Sequence, residues 1–338
     1  MAISQRLKFL ASAVLALALL AFFFHGVDWP ALGQALGHAQ LLPLVAVFLI
    51  NVAAYAVRAW RWGDLLAPLG RVRFLELFSA TMIGFAASLL VPRSGELLRP
   101  WLVAQRQPIP TAAGFATIVL ERLADLLTLL LLFAICLAVF PLPASQAGGR
   151  LLSALQFAGV AAGVTSIAAL GLLVALHANA ERTVSALERL LSRAPRWLAE
   201  PLARLLRGFA GGLAVLRAPA ARLAKIGLQS LAMWLLVALG FHLIHVAFGI
   251  DLPIHATIVL LAFVSVGEAI PTPGMVGGFH AFYLLALSEV YGIDRTNAAA
   301  AAIAAHALMN LPVVVVGLAL LGRYRPLLSR APRDQSRS

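Results

Sequence analysis

The sequence predicts an all-α polytopic integral membrane protein, with about six transmembrane helices and two re-entrant helical hairpins, or up to about eight spans if both hairpins cross. Three observations carry this. The 338-residue chain is 62% hydrophobic and only 12% charged, with a mean hydropathy of +0.92. Several of its stretches exceed the roughly 18 apolar residues that mark a membrane helix. The net charge of +12 gathers between the apolar runs and on one side of them, as the positive-inside rule requires. Finally, two apolar runs break at proline–glycine clusters and are followed by returns too short to cross a hydrocarbon core about 30 Å thick.

The same pattern excludes other classes. Basic residues separated by apolar spans do not form the patch that nucleic acid requires. Cys136 is the only cysteine, so an intramolecular disulfide or a cysteine-based zinc site is ruled out. No GxxxxGK[ST], GxSxG or HExxH motif occurs, which removes ATP hydrolysis by a P-loop and the corresponding hydrolase chemistries. No cofactor is expected, and no metal: His242 and His245 lie three apart, but with His255, His280 and His306 they would have to converge on a carboxylate such as Glu268, and three of the five fall near expected outer boundaries.

In order, Arg6 and Lys8 precede the apolar run Phe9–Phe24. No small-x-small cleavage site follows it, so it is expected as a retained span over about 9–25. HGVDWPALGQALGHAQ lacks Lys and Arg and is expected as an outer loop. A second span over about 41–57 ends at RAWRW, placing Arg58, Arg61, Arg71 and Arg73 in an inner loop and Trp60 and Trp62 in the interfacial belt. Phe74–Val91 then enters the membrane, breaks at Pro92–Gly95 and returns through Leu97–Ala104. A long segment over about 111–140 carries Glu121, Arg122 and Asp125. Pro141–Arg150 is expected as an outer loop and about 151–177 as a span returning inside. Residues 178–225 are expected as a cytoplasmic amphipathic basic segment, with Leu187, Leu190, Leu191, Leu198, Leu202, Leu205 and Leu206 at helical spacing: either a linker obeying the positive-inside rule or a helical pair lying on the inner leaflet. Spans follow over about 226–249 and 254–270. The break IPTPGMVGG, a return over Phe279–Tyr291, a last span over about 298–321 and a basic tail, 323–338, complete the chain. A single membrane domain, 1–338, is expected, in a bacterial-type cytoplasmic (inner) membrane and with both termini cytoplasmic.

The breaks resemble one another. Val91-Pro92-x-x-Gly95 has the spacing of Ile270-Pro271-x-x-Gly274, and Glu121/Asp125 and His306/Asn310 are each four apart on one helix face. With the first hairpin opening inward and the second outward, residues 41–140 and 226–322 become an inverted repeat, as in secondary transporters whose sites lie at broken helices.

Arg93, Glu96, Arg99, Glu121, Arg122 and Asp125 fall within one short stretch. A charge at the bilayer centre costs about 2.5 kcal/mol or more unless it is paired or wet, so these six predict a polar cavity. Ser94 and Thr272 stand where they can cap the half-helices after the breaks, whose free N–H groups attract anions. Arg93, Arg99 and Arg122 are candidate phosphate ligands. The competing structural role is that they pair with Glu96, Glu121 or Asp125 to hold the hairpin, and the two are compatible. Pro92, Gly95, Pro271, Pro273, Gly274 and Gly277 are candidate gating breaks. Glu268, His280 and His306 are candidates for proton coupling, against a hydrogen-bonded packing role.

PRSGELLRPWL, then ATIVLERLADLLTLLLL, then PTPG with a later glycine resembles the lysylphosphatidylglycerol synthase transmembrane (flippase-like) family, and NVAAYAVRAWRWGDLL is similar to it too. The resemblance spans about residues 10–322. It implies a lipid-translocation role and carries over to Pro92, Arg93, Gly95, Glu96, Arg99, Glu121, Arg122, Asp125, Pro271, Pro273, Gly274 and Gly277. Where the family often has PTPGGLG and a glutamate, this chain has Met275 and His280. Few residues follow the last span, so the soluble transferase domain of the synthases, and lysyl transfer by this chain alone, are not expected. Three functions follow from the residues and the resemblance. One is a transporter moving a lipid with an anionic head group, of phospholipid or polyprenyl-phosphate type, between leaflets. The second is a membrane lipid transferase using Glu121 and Asp125 as acid and base. The third is a non-catalytic partner of a separate lipid- or glycan-modifying enzyme.

Overall fold

The computed structural model describes residues 14–140, 149–178, 215, 218–270 and 272–324. Among them the chain is helical and has no strand. Its helices are α1 (Val14–Phe24), α2 (Trp29–His38), α3 (Leu41–Leu66), α4 (Phe74–Leu90), α5 (Ser94–Ala104), α6 (Thr111–Val139), α7 (Gly149–Ala178), α8 (Ala220–Ala247), α9 (Ile254–Ala269), α10 (Gly278–Leu285) and α11 (Arg295–Leu321). The loop expected at 141–150, the basic segment at 178–225 and the tail at 323–338 lie largely outside the described residues, as does Pro271.

Two elements differ from the sequence expectation. The stretch expected as an outer loop folds as α2, bent 85° from α1. Asp28 starts it by accepting a hydrogen bond from the Ala31 N–H at 3.1 Å, and Pro30 sits in the first turn, where its missing N–H is not needed. The second span does not end near residue 57: α3 continues to Leu66, because nothing from Arg58 onward breaks a helix before Gly63. Among the described residues four helices are long and apolar enough to cross a membrane, or five candidates if α1 and α2 count as one bent span.

Both breaks produce helical hairpins closed by glycine. A Cβ on Gly84 or Gly95 would run into the other arm, Gly95 against the backbone of Gly84 itself, and the Gly95 N–H donates to Ser88 Oγ at 2.9 Å. In the second hairpin Gly267 and Gly278 meet backbone to backbone in the same way. The spatial counterpart of Gly95 is therefore Gly278, not the Gly274 that the motif spacing suggests. The expected caps are not made. Arg93, at φ 65°, is the residue before α5 and makes Ser94 the first helical residue rather than the cap. After Thr272 the chain makes one 3-10 turn, Pro273–Met275, and restarts at Gly278 with Gly277 before it. The hydroxyls of Ser94 and Thr272 are buried without a hydrogen-bond partner.

The packing of α3–α6 is mirrored by that of α8–α11. As α3 packs on α4, α8 packs on α9; as α5 packs on α6, α10 packs on α11; as α4 packs on α11, α9 packs on α6. The shared central pair, α3 and α8, runs antiparallel. Asp64 near the end of α3 meets Lys225 and Gln229 near the start of α8, while the Gln40 N–H, before α3, donates to the carbonyl of Ala247, at the end of α8. One apolar core lies among α3, α4, α5 and the start of α6, around Trp62, Leu66, Leu102 and Ile118. A larger one lies among α8–α11 around Phe279, Tyr283 and the alanines of α11. Large apolar side chains such as Leu42, Leu90, Leu228 and Leu318 point outward, a surface that suits lipid and not water.

Candidate functional site

Where the first core ends, the helices bring arginines and carboxylates together. α6 carries Glu121 and Asp125 one turn apart on its inner face. α3 carries Tyr55, Arg58, Arg61 and Trp62 at spacings of three and four, so they share one stripe. α5 brings Arg99, and it gets close enough because Gly84 lacks the Cβ that would occupy the place of the Arg99 side chain. Arg61, Arg99, Glu121 and Asp125 are 0%, 1%, 0% and 5% exposed.

Glu121 is held bidentately by Arg99, Nη1 to Oε1 at 2.8 Å and Nη2 to Oε2 at 3.0 Å. Arg122, Arg58 and Arg61 stand 3.3, 3.6 and 3.9 Å from its Oε1. Asp125 takes Arg58 Nη1 on Oδ2 at 2.8 Å and has Arg61 Nη1 at 2.7 Å from Oδ1. That same Nη1 donates to Ser230 Oγ of α8 at 2.7 Å. Aromatic rings complete the lining. The Arg99 guanidinium lies 4.5 Å from the Trp62 ring, and Trp62 Nε1 donates to Thr117 Oγ1 at 3.0 Å. Phe85 of α4 has three guanidinium groups around it, Arg58 at 5.1 Å and Arg99 and Arg122 at 5.5 Å. Such contacts are favourable because the ring face is negative.

The charges do not balance. Four guanidinium groups face two carboxylates, an excess of two positive charges in a largely buried place. Arg61 Nε and Nη2, Arg99 Nε and Arg122 Nε have no hydrogen-bond acceptor. Buried donors of this kind are costly unless something accepts from them. These are hydrogen-bond donors that an anion reaching the cluster could engage.

Of the six residues singled out in the first hairpin and the helix after it, Arg99, Glu121, Arg122 and Asp125 come together. Arg93 is exposed at the hairpin tip and Glu96 is half-buried, and neither joins the cluster. Arg58 and Arg61 were expected in an inner loop and are instead central to it. The signal was present in the i, i+3 spacing of two arginines in an unbroken helix, flanked by Tyr55 and Trp62 on the same face. Trp62 is fully buried, and so is no belt residue, whereas Trp60 is 54% exposed and fits that expectation.

The second hairpin carries a different polar group. His306 Nε2 lies 2.9 Å from the carbonyl oxygen of Gly274, and the His280 and His306 rings are 4.7 Å apart. This ties α11 to a turn in which Gly274, Met275 and Gly277 all have positive φ. His245 and Tyr283, not selected from the sequence, are 3.0 Å apart between α8 and α10. Glu268 stands apart from the histidines. It lies at the end of α9, is exposed and forms no ion pair among the described residues.

Among curated proteins the chain is similar to one named glycosyltransferase AglD, from Haloferax volcanii. The two are 29% identical over 341 residues, covering 94% of this chain and 54% of that protein. The chain thus spans about half the length of this relative. A family model described as the lysylphosphatidylglycerol synthase TM region matches residues 9–317, which takes in both hairpins and the whole arginine–carboxylate cluster. The chain belongs to that family.

Proposed function

We propose that this membrane protein moves a lipid with an anionic head group between leaflets, passing the head group through the cavity beside the arginine–carboxylate cluster while the tails stay in the bilayer. The observation that carries this is the excess of guanidinium over carboxylate at a site with unspent donors. Arg122, whose side chain is 39% exposed, and Arg58, at 11%, are the ligands a phosphate reaches first. Arg61 and Arg99 are committed to the carboxylates and act by their charge. Glu121 and Asp125 hold the arginines when no lipid is bound. The breaks at Pro92–Gly95 and Pro271–Gly277 supply the movement, with the His306 bond to Gly274 holding the second in its present shape.

The inverted repeat belongs to this reading and is supported by the mirrored packing. Two related helices that pack antiparallel, as α3 and α8 do, require a two-fold axis perpendicular to both, and so in the plane of the membrane. Glu121 lies ten residues into α6, about 15 Å of helix at 1.5 Å per residue. That is near the middle of a hydrocarbon core about 30 Å thick, where transporter sites lie. The reading places the two hairpins as re-entrant elements and both termini at the cytoplasmic face of the inner membrane.

The test is leaflet-to-leaflet movement of labelled anionic lipids in proteoliposomes, for wild type, Arg58→Ala, Arg122→Ala and the surface control Arg71→Ala. Transport above protein-free vesicles, reduced about tenfold or more in the cluster variants and kept in the control, is expected for loss of a charge-assisted phosphate contact. Equal rates in all four would overturn the site. No movement in any would overturn transport.

A second reading rests on the name of the relative. Because the similar protein is called a glycosyltransferase, the region shared with it serves a lipid- or glycan-modifying reaction, either as a separate enzyme's membrane partner or as the transferase itself. A lipid of changed mass, formed by the purified chain from a sugar donor and a lipid acceptor and lost in Asp125→Asn, would favour that reading.

A further inference from the structure

Pro312 lies well inside α11. A proline there gives no N–H to the carbonyl four residues back, and its ring crowds that carbonyl. In α11 the carbonyl left without its amide belongs to Leu308. Asn51 of α3, only 6% exposed, reaches across to this point. Its Nδ2 donates to the carbonyl oxygens of Met309 at 2.7 Å and Leu308 at 3.4 Å. One side chain on another helix thus stands in for the missing amide. α8 closes on the same place from its own side, since a Cβ on Gly240 would meet Met309 Cε at 2.9 Å.

The two halves of α11 on either side of Pro312 belong to different hairpins. Before it, His306 Nε2 lies 2.9 Å from the Gly274 carbonyl oxygen, and the ring packs on Phe279 and His280. All three residues are in the second hairpin. After it, Gly317 lies against α4, where a Cβ would come within 3.0 Å of the Met82 carbonyl oxygen and 3.1 Å of Ala86 Cβ. Just beyond the helix, the Arg323 carbonyl accepts from Arg106 Nη2, and the Arg106 guanidinium stands 4.4 Å from the Tyr324 ring. Arg106 follows directly on α5, so this half is fixed to the first hairpin. The mirror helix α6 also packs on both hairpins but has no proline within it.

We propose that Pro312 is a joint in α11, locked from α3 by the Asn51 amide, and that its release lets the second hairpin move while the first stays in place. Asn51, Tyr55, Arg58 and Trp62 follow one another on α3 at steps of four, three and four, and so share one face. The lock and the arginine–carboxylate site therefore ride on the same helix. In the transport reading above, such a joint allows one hairpin to open while the other stays closed.

The experiment measures the rate of maleimide alkylation of the purified protein in detergent, in a Cys136→Ala background. One reporter is Met275→Cys in the second hairpin, and the other is Ala80→Cys on α4, at a position with no exposure. Each is combined with Asn51→Ala, with Pro312→Ala and with both. Asn51→Ala is expected to raise the rate at the Met275→Cys reporter about tenfold, the effect of a lost hydrogen bond on a local opening, and to leave the Ala80→Cys reporter unchanged. Pro312→Ala returns an N–H to the Leu308 carbonyl and is expected to lower the first rate about threefold or more. In that background Asn51→Ala should raise it less than about twofold, because the helix then holds itself. No rise in Asn51→Ala, an equal rise at the Ala80→Cys reporter, or the same tenfold rise in the Pro312→Ala background overturns the joint. If Asn51→Ala does not fold, Pro312→Ala alone decides, and an unchanged or raised rate there overturns it. These rates need no transported lipid, so they judge the joint apart from the transport reading.

Discussion

Replacing Glu121 by glutamine keeps the shape of the side chain and removes the charge that the cluster is built around. Arg99 grips this carboxylate through bonds of 2.8 and 3.0 Å, three more guanidinium groups stand within 3.3 to 3.9 Å, and the side chain has no exposure through which water can enter in its place. An opposite-charge pair at 4 Å interacts by about 4 kcal/mol at an effective dielectric constant of 20. Removing one partner of a buried pair costs about 3–5 kcal/mol, because the other charge stays buried and uncompensated. Glu121→Gln also raises the positive excess from two to three, so the upper part of that range is expected. Arg99→Met should cost less, about 2–3 kcal/mol, because three other arginines still serve Glu121. The double variant should fall short of the sum by about 2 kcal/mol, the coupling of a buried bidentate pair. Equilibrium unfolding of the purified protein by SDS, followed by tryptophan fluorescence, measures all three, with Trp62 reporting directly because it lies against Arg99. A cost below about 1 kcal/mol for Glu121→Gln, or simple additivity of the two substitutions, would refute the argument that this cluster is a buried, mutually dependent unit.

The hairpin glycines give a second expectation. Gly95→Ala and Gly278→Ala each place a methyl group against the opposing backbone and should destabilise by about 1–3 kcal/mol as overpacking, whereas Gly33→Ala, with open space around it, should be neutral or slightly stabilising in the same unfolding assay. Trp62→Phe loses the bond to Thr117 and part of the stack on Arg99 and should cost about 1–2 kcal/mol, while Trp60→Phe, at an exposed position, should stay within about 0.5 kcal/mol of wild type. His306→Ala removes the tie to Gly274 and should raise maleimide labelling of a Met275→Cys reporter, in a Cys136→Ala background, by about tenfold, the effect of one lost hydrogen bond on a local opening equilibrium. His306→Gln, which can still donate, should restore much of the protection.

Much of the helix order was legible because apolar run length and breaker residues are local properties. Phe74–Leu90, Thr111–Val139 and Ile254–Ala269 fall within a residue or two of their expected bounds, each closed by a proline or a break in hydropathy. The departures are equally instructive. Trp29–His38 lies in the stretch expected as an outer loop because it lacks Lys and Arg, yet a ten-residue helix needs only Asp28 at its start and neighbours to pack on. Arg58 and Arg61 were assigned to an inner loop because charge after an apolar run normally marks the membrane surface. That rule holds only where the charge has no partner inside, and here Glu121 and Asp125 wait on a helix more than fifty residues away in the chain. The candidate site was thus half legible. Its carboxylates and Arg99 stood out as charges in apolar sequence, while the two arginines that complete it looked like ordinary anchors.

By itself the sequence determined that this is a helical membrane protein with two glycine–proline hairpins and a charged patch in the first of them, since hydropathy, breaker residues and charge sign act within a helix or a turn. Only the tertiary structure decided which charges meet. Pairing depends on α3, α5 and α6 converging at the close approach that Gly84 and Gly95 permit. Coulomb forces act through space at a few ångströms and do not register distance along the sequence, so the excess of positive charge that defines the site exists only once the helices are packed.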